Sequence, residues 1–375
     1  MAIPYGRQWI DEKDIEEVIK VLKSDWLTQG PQIEKFEEEI ASYVGAKYAV
    51  AFNSGTSALH GAMFAAGVTK DNEIISSPIT FVASTNAGIY LGAKPIFADI
   101  DNRTYCIDTS KIEEKITSKT KVIVPVDYAG YPVDIEKINE IAKKYNLVVI
   151  EDAAHALGAQ RNGEKVGTQA DMTMFSFHPV KHITTGEGGI ITTNNEEYYE
   201  KLKIFRSHGI TKDETKLTRN EGIWYYEMQY LGYNYRITDI QCALGRSQLR
   251  KLESFIDRRI EIAKKYDEAF KNNPNIQLPP KKENARHVYH LYPILVPKEK
   301  RSYIFNKLRE KDIFAQVHYI PVHTQPYYRI NYGYKYGDYP NAEEFYEREI
   351  SIPIYPKLTN IEQDYVIKTL NELTK

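Results

Sequence analysis

The feature that most restricts the fold of this sequence is the regular alternation of short apolar runs with helical stretches between residues 48 and 150. The apolar runs are typical of strands buried on both faces, whereas the stretches between them repeat apolar residues at helical spacing. This alternation indicates βαβ units, and therefore a mainly parallel sheet covered by helices on both faces. The predicted strands are 48–52, 73–76, 95–98, 121–126 and 147–150, and the predicted helices are 57–66, 81–91 and 135–145.

The flanking parts of the chain continue the α/β pattern and suggest two domains. The chain has 375 residues, which is enough for a large domain and a smaller one. We expect a large domain over residues 1–250 and a small carboxy-terminal α/β domain over 251–375, with Pro279-Pro280-Lys281-Lys282 as an exposed linker or loop. The other predicted helices are 11–24, 33–44, 238–271, 302–311 and 361–373, and the other predicted strands are 172–177, 189–193, 289–296 and 314–318.

No charged residue occurs between Glu73 and Lys94, and this charge-free run is about as long as a membrane span. It contains Pro78, Gly88 and several Ser and Thr residues, which are too many polar and helix-breaking residues for an apolar helix in lipid. We therefore expect the charge-free run to be buried inside the protein. The first residues are neither basic nor apolar as a group, so no signal peptide is predicted and a cytoplasmic location is expected.

Composition and motifs exclude several classes of protein. The chain has 49 basic and 51 acidic residues without a basic block, so the electrostatic signature of nucleic-acid binding is missing. Its two cysteines, Cys106 and Cys242, fit neither a disulfide framework nor a zinc site, and a reducing compartment is expected. His318 and His323 have no adjacent carboxylate, so substrate-contacting or structural histidines are favoured over a metal pair. The sequence contains no P-loop and no G-x-S-x-G elbow.

Three segments carry residues suited to chemistry. The first places Gly55 and Thr56 between a strand and a helix, where backbone N–H groups and hydroxyls can bind a phosphate or serve as an ordinary helix cap. The second places Asp152 at the carboxyl end of an apolar strand, a position at which α/β sheets bind ligands and at which a capping aspartate is also common. The third places Lys181 in a loop before the glycine-rich segment 186–189; alone, it could be a surface lysine.

One cofactor, pyridoxal 5'-phosphate, requires all three segments together. It needs an amine for a Schiff base, a carboxylate that keeps its pyridine nitrogen protonated, and an anchor for its phosphate. Lys181 supplies the amine, Asp152 supplies the carboxylate, and the turn at 55–56 with Ser176 supplies the anchor. Phe81, which begins the helix of the charge-free run, could stack on the face of the cofactor ring.

At these residues the chain resembles the DegT/DnrJ-type sugar nucleotide aminotransferases, which have the aspartate aminotransferase fold, fold type I of the pyridoxal-phosphate enzymes. The resemblance extends over nearly the whole chain, and its specificity comes from several motifs that occur together. They are Leu27-Thr28-Gln29-Gly30, Glu151-Asp152-Ala153-Ala154-His155, Ser176-Phe177 through to Lys181, Gly186-Glu187-Gly188-Gly189, and Gly232-Tyr233-Asn234-Tyr235-Arg236 with Thr238-Asp239.

The resemblance implies roles at the cofactor ring. Lys181 would form the Schiff base, Asp152 would pair with the pyridine nitrogen, and His155 would reach the ring hydroxyl. The family often has glutamine at the position of His155. A histidine can still donate a hydrogen bond there, but the sequence leaves its protonation state open.

The same resemblance implies the phosphate and substrate contacts. Gly55, Thr56 and Ser176 would hold the phosphate, joined by Asn234 from the other subunit of a homodimer whose active site lies at the subunit interface. Trp26 follows a helix end beside polar turn residues, where a large aromatic side chain is rarely wholly buried. The residues expected to line the nucleotide-sugar site are Tyr5, Asp25, Trp26, Leu27, Thr28, Gln316, Val317, His318 and Tyr319.

Within the family, the segment 178–189 is most similar to the C4 aminotransferases of pseudaminic acid biosynthesis. The resemblance therefore implies amination of UDP-4-keto-6-deoxy-N-acetyl-altrosamine with L-glutamate as amino donor. Alternatives are an aminotransferase acting at C3 or C4 of a GDP- or dTDP-linked keto-sugar, a pyridoxal-phosphate-dependent sugar dehydratase, and a non-catalytic scaffold or regulatory protein of the same fold. In the dehydratases histidine replaces the lysine, and a scaffold would be expected to lose Lys181 or Asp152, whereas this chain retains both.

Overall fold

A computed structural model describes residues 2–280 and 284–375 of the chain. Its centre is a seven-stranded sheet. The strands are β1 Tyr48–Phe52, β2 Glu73–Ser76, β3 Lys94–Phe97, β4 Thr120–Val124, β5 Val148–Asp152, β6 Met172–Ser176 and β7 Gly189–Thr193. Their order across the sheet is β1-β7-β6-β5-β4-β2-β3. All neighbouring pairs are parallel except those of β7, which is antiparallel to both β1 and β6. This arrangement confirms the predicted α/β class.

Helices cover both faces of this sheet. In β1, Ala49 and Ala51 belong to one buried apolar cluster, while Val50 and Phe52 belong to another. Successive strand residues point to opposite faces, so this division shows that both faces are packed. The α-helices are Glu12–Leu22, Pro31–Val44, Gly55–Ala65, Ala83–Ile89, Ile135–Tyr145, Glu196–Arg206, Asp239–Leu249, Leu252–Phe270, Lys298–Glu310, Pro326–Tyr332, Pro340–Arg348 and Asn360–Leu373.

The carboxy-terminal part has its own apolar core. Strand Tyr292–Leu295 pairs with Glu349–Ile352, and the helices of this part pack around that pair. Strand Ile3–Pro4 pairs with Ile313–Phe314, so the first residues of the chain join the carboxy-terminal core. Helix Leu252–Phe270 contributes to this core and to a core of the large sheet. The domain boundary at residue 250 remains a prediction.

The helical stretches predicted over 238–271 are two helices, Asp239–Leu249 and Leu252–Phe270. Two predicted strands of the carboxy-terminal part are longer than the observed ones. The predicted strand 289–296 begins only at Tyr292, since Tyr289 has a positive φ that interrupts an extended strand.

The predicted strand 314–318 is also too long, because regular pairing ends at Phe314. Beyond it, the backbone of Gln316 bonds to Ser351, and the backbone N–H of His318 donates to the side chain of Glu349 instead of a strand partner. The lysines of the predicted linker, Lys281 and Lys282, lie outside the described residues.

The charge-free run folds as β2, a turn and the short helix Ala83–Ile89. Ile74, Ile75 and Ile79 are fully buried, as expected for a segment inside the protein. Phe81 is the main exception, because its side chain is 58% exposed. Within residues 2–280 and 284–375, no helix combines the length and the apolar character needed to cross a membrane.

Candidate active site

A cavity of about 440 Å³ opens at the carboxyl ends of β5 and β6. Open α/β sheets bind ligands at this edge, and the volume is in the range of ordinary cofactor sites. Ten of the residues predicted as site residues line it together, although they come from segments as distant as residue 5 and residue 319. They are Tyr5, Gly55, Thr56, Phe81, Asp152, His155, Ser176, Lys181, His318 and Tyr319.

One end of the cavity is the amino terminus of helix Gly55–Ala65. Ser54 caps this helix by accepting a hydrogen bond from the backbone N–H of Ser57 at 3.1 Å. A Cβ atom on Gly55 would lie 3.3 Å from the Cβ of Ser176, so the absence of a side chain leaves space between the helix terminus and the Ser176 hydroxyl. Backbone N–H groups at a helix start and adjacent hydroxyls bind anions, and this end therefore suits a phosphate.

Gly189, the first residue of β7, explains the glycine-rich segment of the sequence. A Cβ atom on Gly189 would lie 2.6 Å from the backbone nitrogen and Cα of Gly55. Only glycine permits this approach, because a real Cβ cannot come so close to backbone atoms. Gly189 thereby fixes the position of the helix amino terminus relative to the sheet.

Asp152 lies at the carboxyl end of β5, as the sequence predicted. Its Oδ2 accepts a hydrogen bond from the Ser84 hydroxyl at 2.6 Å, and its Oδ1 accepts from the backbone N–H of Ala154 at 3.1 Å. Burial raises the pKa of Asp152, while these two hydrogen bonds and the charge of Lys181 oppose the rise. A carboxylate held in this way is oriented to pair with a protonated ring nitrogen, whose positive charge would favour its ionised form.

Lys181 lies in the loop between β6 and β7, where its backbone N–H donates to the carbonyl of His178 at 2.9 Å. Burial lowers the pKa of the Lys181 amine to about 8, although the carboxylate of Asp152 acts in the opposite direction. The lowered pKa makes the neutral form of the amine more accessible, and a neutral amine is the form that attacks a carbonyl.

The surroundings of His155 determine its protonation state. Its Nδ1 accepts a hydrogen bond from the backbone N–H of Ala129 at 3.2 Å, and its Nε2 lies 3.1 Å from the Tyr319 hydroxyl. Burial, reinforced by the charge of Lys181, holds the pKa of His155 well below its usual range. A neutral imidazole whose Nδ1 accepts must carry its proton on Nε2. His155 therefore presents a hydrogen-bond donor on the Nε2 side, which answers the question that the sequence left open.

Seven residues predicted for the site do not line this cavity. Asn234 and Trp26 are exposed on the surface of the chain, and the backbone carbonyl of Leu27 accepts from the N–H of Asp239. The side chain of Gln316 is exposed as well. The seven residues are Asp25, Trp26, Leu27, Thr28, Asn234, Gln316 and Val317.

Several residues of the site were not predicted from the sequence, and Ser84 and Glu187 are two charged or hydrogen-bonding examples. Ser84 orients Asp152 but lies in the charge-free run, where no local pattern connects it with a residue 68 positions later. Glu187 lines the cavity and stands inside the glycine-rich motif, yet a single exposed acidic residue among glycines carries no specific signal. Only the arrangement of the strands shows that these side chains belong to the site.

The arrangement fits pyridoxal 5'-phosphate. Lys181 is available for the carbonyl, Asp152 for the ring nitrogen, and the space beside Gly55 and Ser176 for the phosphate. Phe81 and Tyr319 also line the cavity, with ring centroids 6.2 Å apart. The fold and the site therefore define a fold type I pyridoxal-phosphate enzyme.

Comparison with known proteins also identifies a pyridoxal-phosphate enzyme. The model of the DegT/DnrJ/EryC1/StrS aminotransferase family matches residues 8–371. The chain belongs to this family, and it is a pyridoxal-phosphate-dependent sugar nucleotide aminotransferase.

Several curated relatives match over almost their whole length. The uncharacterized protein MJ1066 of Methanocaldococcus jannaschii is 48% identical over 100% of this chain and 97% of its own. The UDP-4-amino-4,6-dideoxy-N-acetyl-beta-L-altrosamine transaminase of Campylobacter jejuni is 40% identical, with 98% and 96% covered. The GDP-perosamine synthase of Escherichia coli O157:H7 is 38% identical, with 99% and 98% covered.

Solved structures of aminotransferases are also similar to this chain. Helicobacter pylori PseC, an aminotransferase involved in the biosynthesis of pseudaminic acid, superposes with a TM-score of 0.92 at 36% identity, covering 100% of this chain and 99% of that one. The PLP form of Spr1654 from Streptococcus pneumoniae superposes with a TM-score of 0.93 at 33% identity, with the same coverage. Both the fold and the cofactor predicted from the sequence are thus confirmed.

Proposed function

We propose that this chain transfers the amino group of L-glutamate to C4 of UDP-4-keto-6-deoxy-N-acetyl-altrosamine. The observation that carries the transamination chemistry is the single cavity shared by Lys181, Asp152 and the amino terminus of helix Gly55–Ala65. Support for this particular sugar comes from the similarity to the Campylobacter jejuni transaminase and to Helicobacter pylori PseC.

Individual residues of the chain have separate roles in the proposed reaction, and Lys181 has the central one. Bound pyridoxal 5'-phosphate supplies a carbonyl that takes up the amino group and a ring that stabilises negative charge at the reacting carbon. The Nζ atom of Lys181 holds the cofactor between turnovers and, once displaced by the donor, takes up and returns the proton of the reacting carbon. This proton transfer needs a neutral amine, which the lowered pKa of Lys181, about 8, provides.

Asp152 and His155 keep the cofactor in its reactive form. The Asp152 carboxylate, oriented by Ser84, would hold the proton on the ring nitrogen, and the Nε2–H of His155 would donate to the ring oxygen. Neither group has to move a proton during the reaction. Both act by orientation and charge, which cost little reorganisation when they are already in place.

A homodimer is part of the same proposal. Asn234 and Trp26 lie outside the cavity of their own chain and are exposed, and the apolar side chains of Ile223 and Leu231 are exposed as well. Exposed apolar side chains favour burial against another protein surface. We propose that a second copy covers these side chains and that Asn234 completes the phosphate site of that copy. A cytoplasmic location also belongs to the proposal, because both cysteines are free thiols.

One experiment tests the substrate. The cofactor-loaded enzyme is incubated with L-glutamate and a panel of UDP-, GDP- and dTDP-linked keto-sugars, and both 2-oxoglutarate and the amino sugar are measured. We expect efficient amination of the UDP-linked 4-keto-altrosamine. Amination of only a GDP- or dTDP-linked sugar would contradict the proposed substrate and leave the aminotransferase family unaffected.

Specific observations bear on three other functions within this fold. The 38% identity to GDP-perosamine synthase supports amination of a GDP-linked sugar as the second candidate. A dehydratase is disfavoured because Lys181 is retained and His182 is buried, with its Nε2 3.0 Å from the carbonyl oxygen of Val288. Retention of Lys181 and Asp152 also disfavours a non-catalytic scaffold, which the formation of 2-oxoglutarate from glutamate would exclude.

A further inference from the structure

A buried chain of three side chains ends at the wall of the cavity. The Nδ1 atom of His318 lies 2.9 Å from the Ser351 hydroxyl, which lies 2.5 Å from Oε1 of Glu349. The other carboxyl oxygen of Glu349, Oε2, accepts a hydrogen bond from the backbone N–H of His318 at 2.9 Å. Glu349 and Ser351 are 0% exposed, whereas His318 lines the cavity.

The surrounding backbone keeps this chain of side chains in place. Glu349 and Ser351 belong to the strand Glu349–Ile352, and the backbone of Ser351 exchanges two hydrogen bonds with that of Gln316. On the other side, the Tyr128 hydroxyl donates to the carbonyl of His318 at 2.6 Å. The imidazole of His318 therefore has a fixed orientation, in which Nδ1 is engaged by Ser351 and Nε2 remains as the other polar atom of the ring.

The Ser351 hydroxyl has one proton, so it can donate in only one direction. If Glu349 is ionised, the hydroxyl donates to the carboxylate and must accept from His318, whose Nδ1 then carries the proton and whose Nε2 is an acceptor. If Glu349 is protonated, it donates to the hydroxyl, the hydroxyl donates to Nδ1, and Nε2 carries the proton instead. The two arrangements give His318 opposite hydrogen-bonding character at Nε2.

We propose that Glu349, acting through the Ser351 hydroxyl, determines which ring nitrogen of His318 is protonated and so whether His318 offers a donor or an acceptor to the substrate. Glu349 and Ser351 are thus positioning residues, and His318 is the residue that faces the substrate. The inference rests on the proposed function for the identity of that substrate, but the control of the His318 proton does not depend on it.

The buried environment decides which arrangement holds near neutral pH. Burial raises the pKa of Glu349 to about 8, against the hydrogen bonds from Ser351 and His318, so the protonated carboxyl predominates at pH 7. His318 itself stays neutral, because burial and the charge of Lys181 lower its pKa to about 3. The other titratable or charged groups that face Glu349 or His318 are Arg301, Tyr105, Tyr128, Tyr319, Tyr5 and His155.

His318 therefore offers a donor at pH 7, and it changes to an acceptor as the pH rises through about 8. A donor suits the groups of a keto-sugar nucleotide that can only accept, namely the keto oxygen and the diphosphate oxygens.

The direct test is nitrogen NMR of the cofactor-loaded enzyme labelled with 15N-histidine. Protonated and unprotonated ring nitrogens have well separated shifts, and the His318 signals are identified by their loss in His318→Gln. We expect the proton to move from Nε2 to Nδ1 between pH 7 and pH 9. In Glu349→Gln it should stay on Nε2 at every pH, because the amide N–H₂ group donates permanently to Ser351. In Ser351→Ala the transition near pH 8 should disappear.

Glu343→Gln is the matched control. Glu343 Oε1 lies 2.9 Å from Nε2 of another buried histidine, His323, which does not line the cavity. This variant makes the same chemical change in the same part of the chain, and it should leave the His318 signals unchanged. A single His318 tautomer from pH 7 to pH 9 in the unmodified enzyme, or an equal effect of Glu343→Gln, would overturn the proposal.

Kinetics separate this inference from the proposed function. The KM for the keto-sugar should rise about fivefold between pH 7 and pH 9 in the unmodified enzyme, which corresponds to one hydrogen bond, and it should stay constant in Glu349→Gln. If no nucleotide sugar is aminated, the proposed function fails while the NMR transition still supports the inference. If amination occurs but the KM has the same pH dependence in Glu349→Gln, the inference fails and the function stands.

Discussion

The backbone N–H of Ala129 donates to Nδ1 of His155, and this hydrogen bond of 3.2 Å assigns the proton of a neutral histidine to Nε2. A main-chain amide cannot change its protonation state, so the assignment is permanent. With its proton on Nε2, this histidine has an N–H donor, as would the glutamine that the resemblance of the sequence implies at this position.

Replacement of His155 tests this equivalence. His155→Gln keeps a donor, and we expect its dissociation constant for pyridoxal 5'-phosphate to stay within about threefold of the original, whereas His155→Leu should weaken binding about tenfold by losing one hydrogen bond. Equilibrium dialysis of the apoenzyme with the cofactor measures both values. Equal losses in the two variants would show that the donor on Nε2 is not what binds the ring.

The amine of Lys181 is expected to control the rate of cofactor capture. Its pKa of about 8 means that the neutral fraction increases about fiftyfold between pH 6 and pH 8 and then levels off. The rate at which apoenzyme and pyridoxal 5'-phosphate form their visible absorbance band should follow this curve. A rate that is independent of pH, or that keeps rising to pH 10, would contradict the lowered pKa of Lys181.

Removal of the same amine should abolish the reaction. Lys181→Ala should lack both glutamate turnover and the visible absorbance band of the enzyme-bound cofactor, because no other lysine within residues 2–280 and 284–375 lines the cavity. Lys212→Ala, which alters an exposed lysine, is the control and should retain both. If Lys181→Ala kept turnover and the absorbance band, a different residue would have to form the Schiff base.

Ser84 should act on the reaction through Asp152. Ser84→Ala removes a hydrogen bond to a charged group, and we expect turnover to fall about tenfold because the pKa of Asp152 rises further and its orientation is lost. Ser76→Ala is matched to it, since Ser76 is equally buried but donates to the carbonyl of Val124. Asp152→Asn should be far more damaging, with a loss on the order of a hundredfold or more. Similar turnover in the two serine variants would contradict a role for Ser84.

A methyl group at position 189 should lower the stability of the protein. Gly189→Ala places a Cβ within 2.6 Å of the backbone of Gly55, and we expect it to lower the free energy of unfolding by about 1–3 kcal/mol and to weaken cofactor binding. Gly6→Ala is the control, because its Cβ would meet Val180 at an ordinary 3.5 Å. Urea denaturation of both apoenzymes gives the comparison, and equal stabilities would mean that β7 and the amino terminus of helix Gly55–Ala65 can move apart at little cost.

The sequence predicted the sheet well because its strands are buried on both faces. Continuous apolar runs gave β1, β2 and β7 with their observed bounds, and the carboxyl ends of β5 and β6 placed Asp152 and Ser176 at the site. These signals are local, since each depends only on the residues of one strand and the turn that follows it. The residues around the cofactor could therefore be predicted one segment at a time.

The contacts that orient those residues were not predictable in the same way. Ser84 reaches Asp152, Ala129 reaches His155, and Glu349 reaches His318 across packed elements. None of these pairs follows from sequence spacing, because each depends on how two strands or loops come together in the folded chain. The end of the strand at Phe314 was missed for the same reason, since the residues after it bond to a distant strand.

The pairing of Ile3–Pro4 with Ile313–Phe314 has a consequence for how the protein is made. The ribosome must synthesise some three hundred residues before the partner of the first strand emerges, whereas the strands of the large sheet pair between nearer segments. Tyr5, which follows that first strand, can take its place in the cavity wall only after this late contact forms. The central sheet can thus assemble early in translation, whereas the catalytic cavity is completed only after the segment around residue 313 has been made.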